Sequence, residues 1–138
     1  MDIFKKVELL HLSAGEYVVV ASGVMEAIGL RKAADLDIAV TPLLFDQLRK
    51  NSGWKEEVRW DKLFLIKNGI DIIPELAWSA YSTTTKEVIA SAMIINGIPF
   101  MNLEELCKFK HALGREKDFA DVALIEEYIR THEKKNID

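Results

Sequence analysis

The chain has 138 residues, 49% of them hydrophobic and 29% charged, the balance of an ordinary globular domain long enough to bury a core without staples. A net charge of −4 excludes a surface that is basic throughout, although it leaves room for a local basic patch, and the lone Cys107 excludes an internal disulfide. The opening MDIFKKVELLHLSAGEYVVV lacks a signal peptide's uninterrupted apolar stretch, and no run reaches the ~20 apolar residues of a membrane span, so a cytoplasmic setting is expected.

In chain order, Lys5 to Leu12 reads as a short helix stopped around Ala14-Gly15. Tyr17 to Ala21 is a β-branched run too apolar for a sheet edge, hence a central strand. Ser22-Gly23 breaks it, and a helix is expected over Val24 to Leu30. Asp35 to Thr41 forms the second strand. Thr41-Pro42 then opens a helix, with Pro at its first position, that carries Leu43 to Lys50 and ends near Gly53. Three strands are expected next, over Trp54 to Trp60, Leu63 to Lys67 and Ile70 to Leu76. Asn68-Gly69 between the last two is a strong hairpin signal, and Asn96-Gly97 repeats it between Ala92–Ile95 and Ile98–Met101. Thr84 with Glu87 has the spacing of a capping box, Asn102 opens a helix that Gly114 stops, and a last helix runs from Asp118 to about Glu133, with Val122, Ile125 and Ile129 on one face. The charged tail beyond it is expected to fray. With no repeat, low-complexity tract or linker, the chain reads as one domain over residues 1–138, of α+β class with a mixed sheet flanked by helices.

The phosphate loop G-x-x-x-x-G-K-[ST], the dinucleotide fingerprint, G-x-S-x-G, H-E-x-x-H and C-x-x-C are all absent. Three histidines and one cysteine argue against a His/Cys zinc site or a Cys-His nucleophile. Carboxylates remain. In ADLDIAV, strand alternation points Asp35 and Asp37 to one face and Leu36, Ile38 and Val40 to the other. Like charges so placed repel, and burial adds to the cost unless something compensates. A third acid, Asp71, opens the later strand GIDIIPEL. Two readings stand at this point. The aspartates cap strand ends in solvent, or they converge into an oxygen-only site suited to Mg²⁺ or Mn²⁺ and a substrate phosphate.

Upstream of that pair, a buried strand breaks at a small-residue turn and leads straight into a helix. The order of these parts, ASGVMEAIGLRKAADLDIAV followed by GIDIIPEL, resembles the DNA polymerase β-like nucleotidyltransferase superfamily. Its core is a Gly-[Gly/Ser] turn, an apolar-spaced D-x-D and a third aspartate on a following strand. The C-terminal INGIPFMNLEELCKFKHALGREKDFADVALIEEY is similar to the end of small bacterial nucleotidyltransferases, including abortive-infection (AbiEii-like) toxins, with Lys110, Arg115, Lys117, Asp118 and Asp121 matching a lysine helix and an R-x-K-D-x-x-D run. The resemblance covers Tyr17 to Tyr128. It implies a minimal nucleotidyltransferase fold with C-terminal helices, which moves a nucleoside monophosphate from a nucleoside triphosphate to a hydroxyl acceptor (a small molecule, a tRNA end or a protein), alone, as an oligomer or with a protein partner.

By that resemblance Asp35, Asp37 and Asp71 are the metal ligands, and Asp71 also helps accept the acceptor's proton. Ser22, Gly23, Arg31 and Arg115 bind the nucleotide, and Lys110 neutralises charge as pyrophosphate leaves. The turn reads Ala21-Ser22-Gly23 where the family has a Gly-Ser pair. This departure supports an alternative, a non-catalytic nucleotide- or partner-binding (antitoxin-like) member. Asp118 and Asp121 read equally well as helix caps. Trp54, Trp60, Trp78 and Tyr81 are expected to serve the core rather than a base.

Overall fold

The computed structural model describes residues 1–51 and 53–137. Helices α1 (Ile3–Glu8), α2 (Ser22–Ala27), α3 (Pro42–Lys50), α4 (Thr85–Ala90), α5 (Leu103–Leu113) and α6 (Glu116–Ile137) flank a sheet built from β1 (Tyr17–Val20), β2 (Leu36–Val40), β3 (Lys55–Arg59), β4 (Lys62–Lys67), β5 (Ile70–Ile73), β6 (Met93–Ile95) and β7 (Ile98–Phe100). The seven strands lie in the order β3-β4-β5-β2-β1-β7-β6, with β2/β5 and β1/β7 parallel and the other pairs antiparallel. The class is therefore α+β with a mixed sheet flanked by helices.

Local chemistry explains most boundaries. Tyr17–Val20 is buried at every position, as a strand covered on both faces must be, and it lies inside the sheet between β2 and β7. Hairpin turns close at Asn68-Gly69 and Asn96-Gly97, with positive φ at both residues of each pair. Thr41 and Asn102 cap α3 and α5, Thr84 and Glu87 form the reciprocal capping box of α4, and Gly114 ends α5 in the left-handed conformation.

Several boundaries differ from expectation. The first helix begins at Ile3 because Asp2 accepts the Lys5 N–H at 2.9 Å, and it ends at Glu8 rather than Leu12. α2 starts at Ser22, directly after β1, and stops before Gly29, whose φ is +81°. β5 ends at Ile73 because Pro74 has no N–H to offer, while the next peptides turn onto Thr85, whose hydroxyl accepts the Leu76 N–H at 2.8 Å. α6 runs from Glu116 to Ile137, past the expected end near Glu133, and Asp138 lies outside the described residues.

The two faces of the sheet differ. Alternation and register gather Leu36, Ile38, Ile70, Ile72, Leu65, Val19 and Phe100 on one side, where α1 and α2 cover them, Phe4 meeting Phe100 edge-on and Ile3 lying beside Gly23. Each such aliphatic side chain contributes about 1.5–3 kcal/mol on burial. The opposite side carries Val18, Val20 and Ala39 at its centre, and Asp35, Asp37 and Asp71 beside them.

Candidate functional site

Parallel pairing of β2 with β5 sets Asp37 directly opposite Asp71, on strands that run about 4.8 Å apart. Asp35, one alternation earlier, falls beside the Asn68-Gly69 turn, where its Oδ1 lies 3.9 Å from the position a Cβ on Gly69 would take. The D-x-D motif and the third aspartate thus meet on one sheet face. Asp37 is half-buried, and burial together with the charges of Asp71 and Asp35 pushes its pKa up to about 6, although Arg59 and Lys110 pull the other way. A face that holds Asp37 at such cost is suited to a cation.

Magnesium needs only one or two protein carboxylates when substrate phosphates and water complete its shell. Asp37 and Asp71 fit that requirement by their register and by the charge repulsion between them. The three aspartates share this face, and among the described residues no three His, Cys, Asp or Glu side chains come together as a metal-holding group. Asp35 is exposed at the strand entry, and Asp71 Oδ2 already accepts Arg59 Nη1 at 2.9 Å.

Beside this face lies a basic cluster whose cations are held by carboxylates of α6. Asp121 accepts Arg31 in a two-pronged arrangement (Nε at 2.9 Å, Nη2 at 2.7 Å) and also accepts Lys110 Nζ at 2.8 Å. Lys110 lies 3.8 Å from Asp118, which in turn takes Arg115 Nε at 2.6 Å and Nη2 at 3.1 Å. Burial works against the charges of Asp118 and Asp121, but these donors outweigh it and hold both pKa values below the ordinary carboxylate range. Lys110 is only 2% exposed, yet close enough to Asp37 for its charge to act there. Its neighbour Lys108 faces outward toward Glu104 and Glu105.

The expected roles therefore divide. Lys110 points inward, as helical spacing implies, but its ammonium is spent on Asp121 and Asp118. Arg31 is engaged throughout, with Nη1 on the Lys32 carbonyl and Nη2 also on Ser22 Oγ at 3.1 Å. Arg115 remains half-exposed in the grip of Asp118, and Asp37's charge acts on it. Asp118 does act as a cap, accepting the Arg115 backbone N–H at 3.1 Å, whereas Asp121 is the hub that ties α5, α6 and the segment before β2 together.

The turn between β1 and α2 shows what the small residues do. Ala21 has φ 57° and ψ −133°, a conformation that glycine adopts freely and alanine does not. Ser22 follows, its oxygen accepting from Arg31. Gly23 faces the sheet instead of the aspartates: a Cβ there would sit 2.7 Å from Val19 Cγ1. Its lack of a side chain is required by the packing of α2 on β1.

Sequence reasoning missed Arg59. The turn before β4, Trp60-Asp61, has positive φ at both residues but contains no glycine, so the β3–β4 pairing that points Arg59 at Asp71 had no visible signal. Trp78 and Tyr81 do pack on Phe109, and Trp54 lies under Lys67 Nζ, whereas Trp60 is 80% exposed against Phe64. Two surface grooves, of about 280 and 360 Å³, are not lined by Asp35, Asp37 or Asp71; one lies beside α1 and the Asn68-Gly69 turn, the other between Glu16, Pro42 and Glu75. Comparison of the chain with family models, curated proteins and solved structures gave no match.

Proposed function

We propose that this protein is a magnesium-dependent nucleotidyltransferase of the DNA polymerase β-like type, moving a nucleoside monophosphate from a nucleoside triphosphate to a hydroxyl of a small molecule, a tRNA or a protein. The observation that carries this reading is the register of Asp37 against Asp71 on adjacent parallel strands, with Asp35 one step along the same face. The cluster of Arg31, Lys110 and Arg115 alongside supports it. Bound Mg²⁺ or Mn²⁺ would supply charge neutralisation at the phosphates and lower the pKa of the attacking hydroxyl.

The residues divide the remaining work. Asp37 and Asp71 hold the ion, and Asp35 adds negative charge at the entry. One Asp71 oxygen serves the ion and the other accepts the hydroxyl's proton. Ser22, at the turn into α2, donates its hydroxyl to a phosphate oxygen. Arg115, half-exposed and oriented by Asp118, meets the triphosphate. Lys110 and Arg31 act through Asp121, holding the C-terminal helices against the carboxylate face. No helix among the described residues is long and apolar enough to cross a membrane, and a cytoplasmic setting suits a nucleoside triphosphate substrate. The reading extends to action as an oligomer or with a protein partner.

The engagement of Arg31 and Lys110 by Asp121 favours one second reading, a non-catalytic, antitoxin-like member that binds a nucleotide or a partner. Calorimetry with each nucleoside triphosphate, in Mg²⁺ and in EDTA, tests the shared part. Binding that needs the ion and disappears in Asp35→Asn/Asp37→Asn is expected, and equal affinity in EDTA would contradict it. Asp71→Ala separates the two readings. An enzyme loses transfer along with part of its ion-dependent nucleotide affinity, whereas a binding module loses affinity alone and has no transfer to lose.

A further inference from the structure

Strand pairing brings Arg59 from the sheet edge onto the carboxylate face. β4 sets Ile66 opposite Asp71 and β3 sets Lys55 opposite Ile66, so alternation puts Lys55, Glu57 and Arg59 on the same side as Asp71. The Arg59 guanidinium lies over the Phe64 ring, 5.6 Å from its centroid, and forks between two acids: Nη1 reaches Asp71 Oδ2 at 2.9 Å and Nη2 reaches Glu57 Oε2 at 3.1 Å. The partners differ in surroundings. The Asp71 side chain is 16% exposed and that of Glu57 42% exposed, so Arg59 can give up the inner acid and stay paired with the outer one.

Resting on the nucleotidyltransferase reading above, we propose that Arg59 is the displaceable counter-ion of the carboxylate face: it holds Asp71 while no divalent cation is bound and yields Asp71, keeping Glu57, when one binds. The physical case is competition for one oxygen. A fixed positive charge within hydrogen-bond reach of a ligand carboxylate opposes entry of a divalent ion, and it relieves the repulsion between Asp37 and Asp71 when that ion is absent. Glu57 lowers the cost of the exchange, because Arg59 leaves Asp71 without losing every partner. Arg59 and Glu57 together thereby set the metal affinity, and Arg59 offsets part of the negative charge of the face while no ion is bound.

The test is a Mn²⁺ titration of the full chain, read by electron paramagnetic resonance as loss of the free-ion signal. Arg59→Gln is expected to bind Mn²⁺ roughly tenfold more tightly than the wild type, as loss of an opposing charge a few ångströms away implies. Arg59→Lys, which keeps the charge, should stay within about threefold of wild type, and Glu57→Gln should bind more weakly, because Arg59 then has only Asp71. Melting in EDTA gives a readout independent of binding: Arg59→Gln should melt below wild type without the ion and gain more than wild type when Mn²⁺ is added. If wild type binds Mn²⁺ and Arg59→Gln binds equally or less tightly, the counter-ion role is wrong and the nucleotidyltransferase reading stands. If neither binds, or if Asp37→Asn leaves binding intact, that reading falls and the Arg59 inference falls with it.

Discussion

Asp37→Asn keeps the shape of the side chain and removes the charge that burial, Asp71 and Asp35 all oppose. An aspartate whose pKa rises from 3.8 in the open chain to about 6 in the fold binds its proton more tightly when folded. The wild type is therefore free of the penalty below pH 3.8, loses stability through this group as pH rises from about 4 to 6, and carries the full cost above. At about 1.36 kcal/mol per unit the cost at pH 8 is about 3 kcal/mol, falling to about 0.5 at pH 4 and close to nothing at pH 3. The asparagine variant carries no such dependence. Urea unfolding of both proteins across this range should show the variant's midpoint advantage growing by about 1–3 M between pH 3 and pH 8 at unchanged slope, since slopes in urea run about 1–3 kcal/mol per M. An advantage that is the same at every pH, or a variant less stable than wild type at pH 8, would refute the assignment of a strained charge to Asp37.

Three further outcomes follow from the same geometry. Ala21→Gly should stabilise the protein by about 1 kcal/mol in denaturant melts, because glycine adopts the φ of 57° and ψ of −133° without strain. Gly23→Ala should destabilise it by about 1–3 kcal/mol, through the 2.7 Å approach to the β-branched Val19 on a central strand. Lys110→Ala should cost about 3–5 kcal/mol, because Asp121 and Asp118 lose a buried partner, whereas Lys108→Ala should change stability by less than about 0.5 kcal/mol. Equal effects at the two lysines would mean that the buried network contributes nothing specific.

Features with local causes could be read from the sequence. Asn-Gly pairs, Thr-Pro, the Thr84/Glu87 spacing and the apolar Tyr17–Val20 run each act within a few residues, and each produced the expected element. The shared face of Asp35 and Asp37 was legible because alternation is a property of one strand. The pairing of Asp37 with Asp71 depended on how β2 and β5 meet, which resemblance suggested but no local pattern encodes. Arg59 stayed hidden for a similar reason: its approach to Asp71 is set by register across two hairpins, one of which turns on Trp60-Asp61 with no glycine to mark it. The ends of α1 and β5 were misplaced because single side chains, Asp2 and Thr85, take up backbone groups there. Asp121 as a hub required long-range contact with Arg31, 90 residues away, which spacing along a helix cannot reveal.

The most direct measurement of the central claim is incubation of the protein with each nucleoside triphosphate, labelled at the α-phosphate, together with Mg²⁺ and a cell extract that supplies acceptors. One nucleotide is expected to pass its label to a discrete acceptor with release of pyrophosphate, and Asp35→Asn/Asp37→Asn is expected to abolish the transfer. No label transferred from any nucleotide by the wild type, or transfer undiminished in the double variant, would contradict a nucleotidyltransferase centred on the aspartates of β2 and β5.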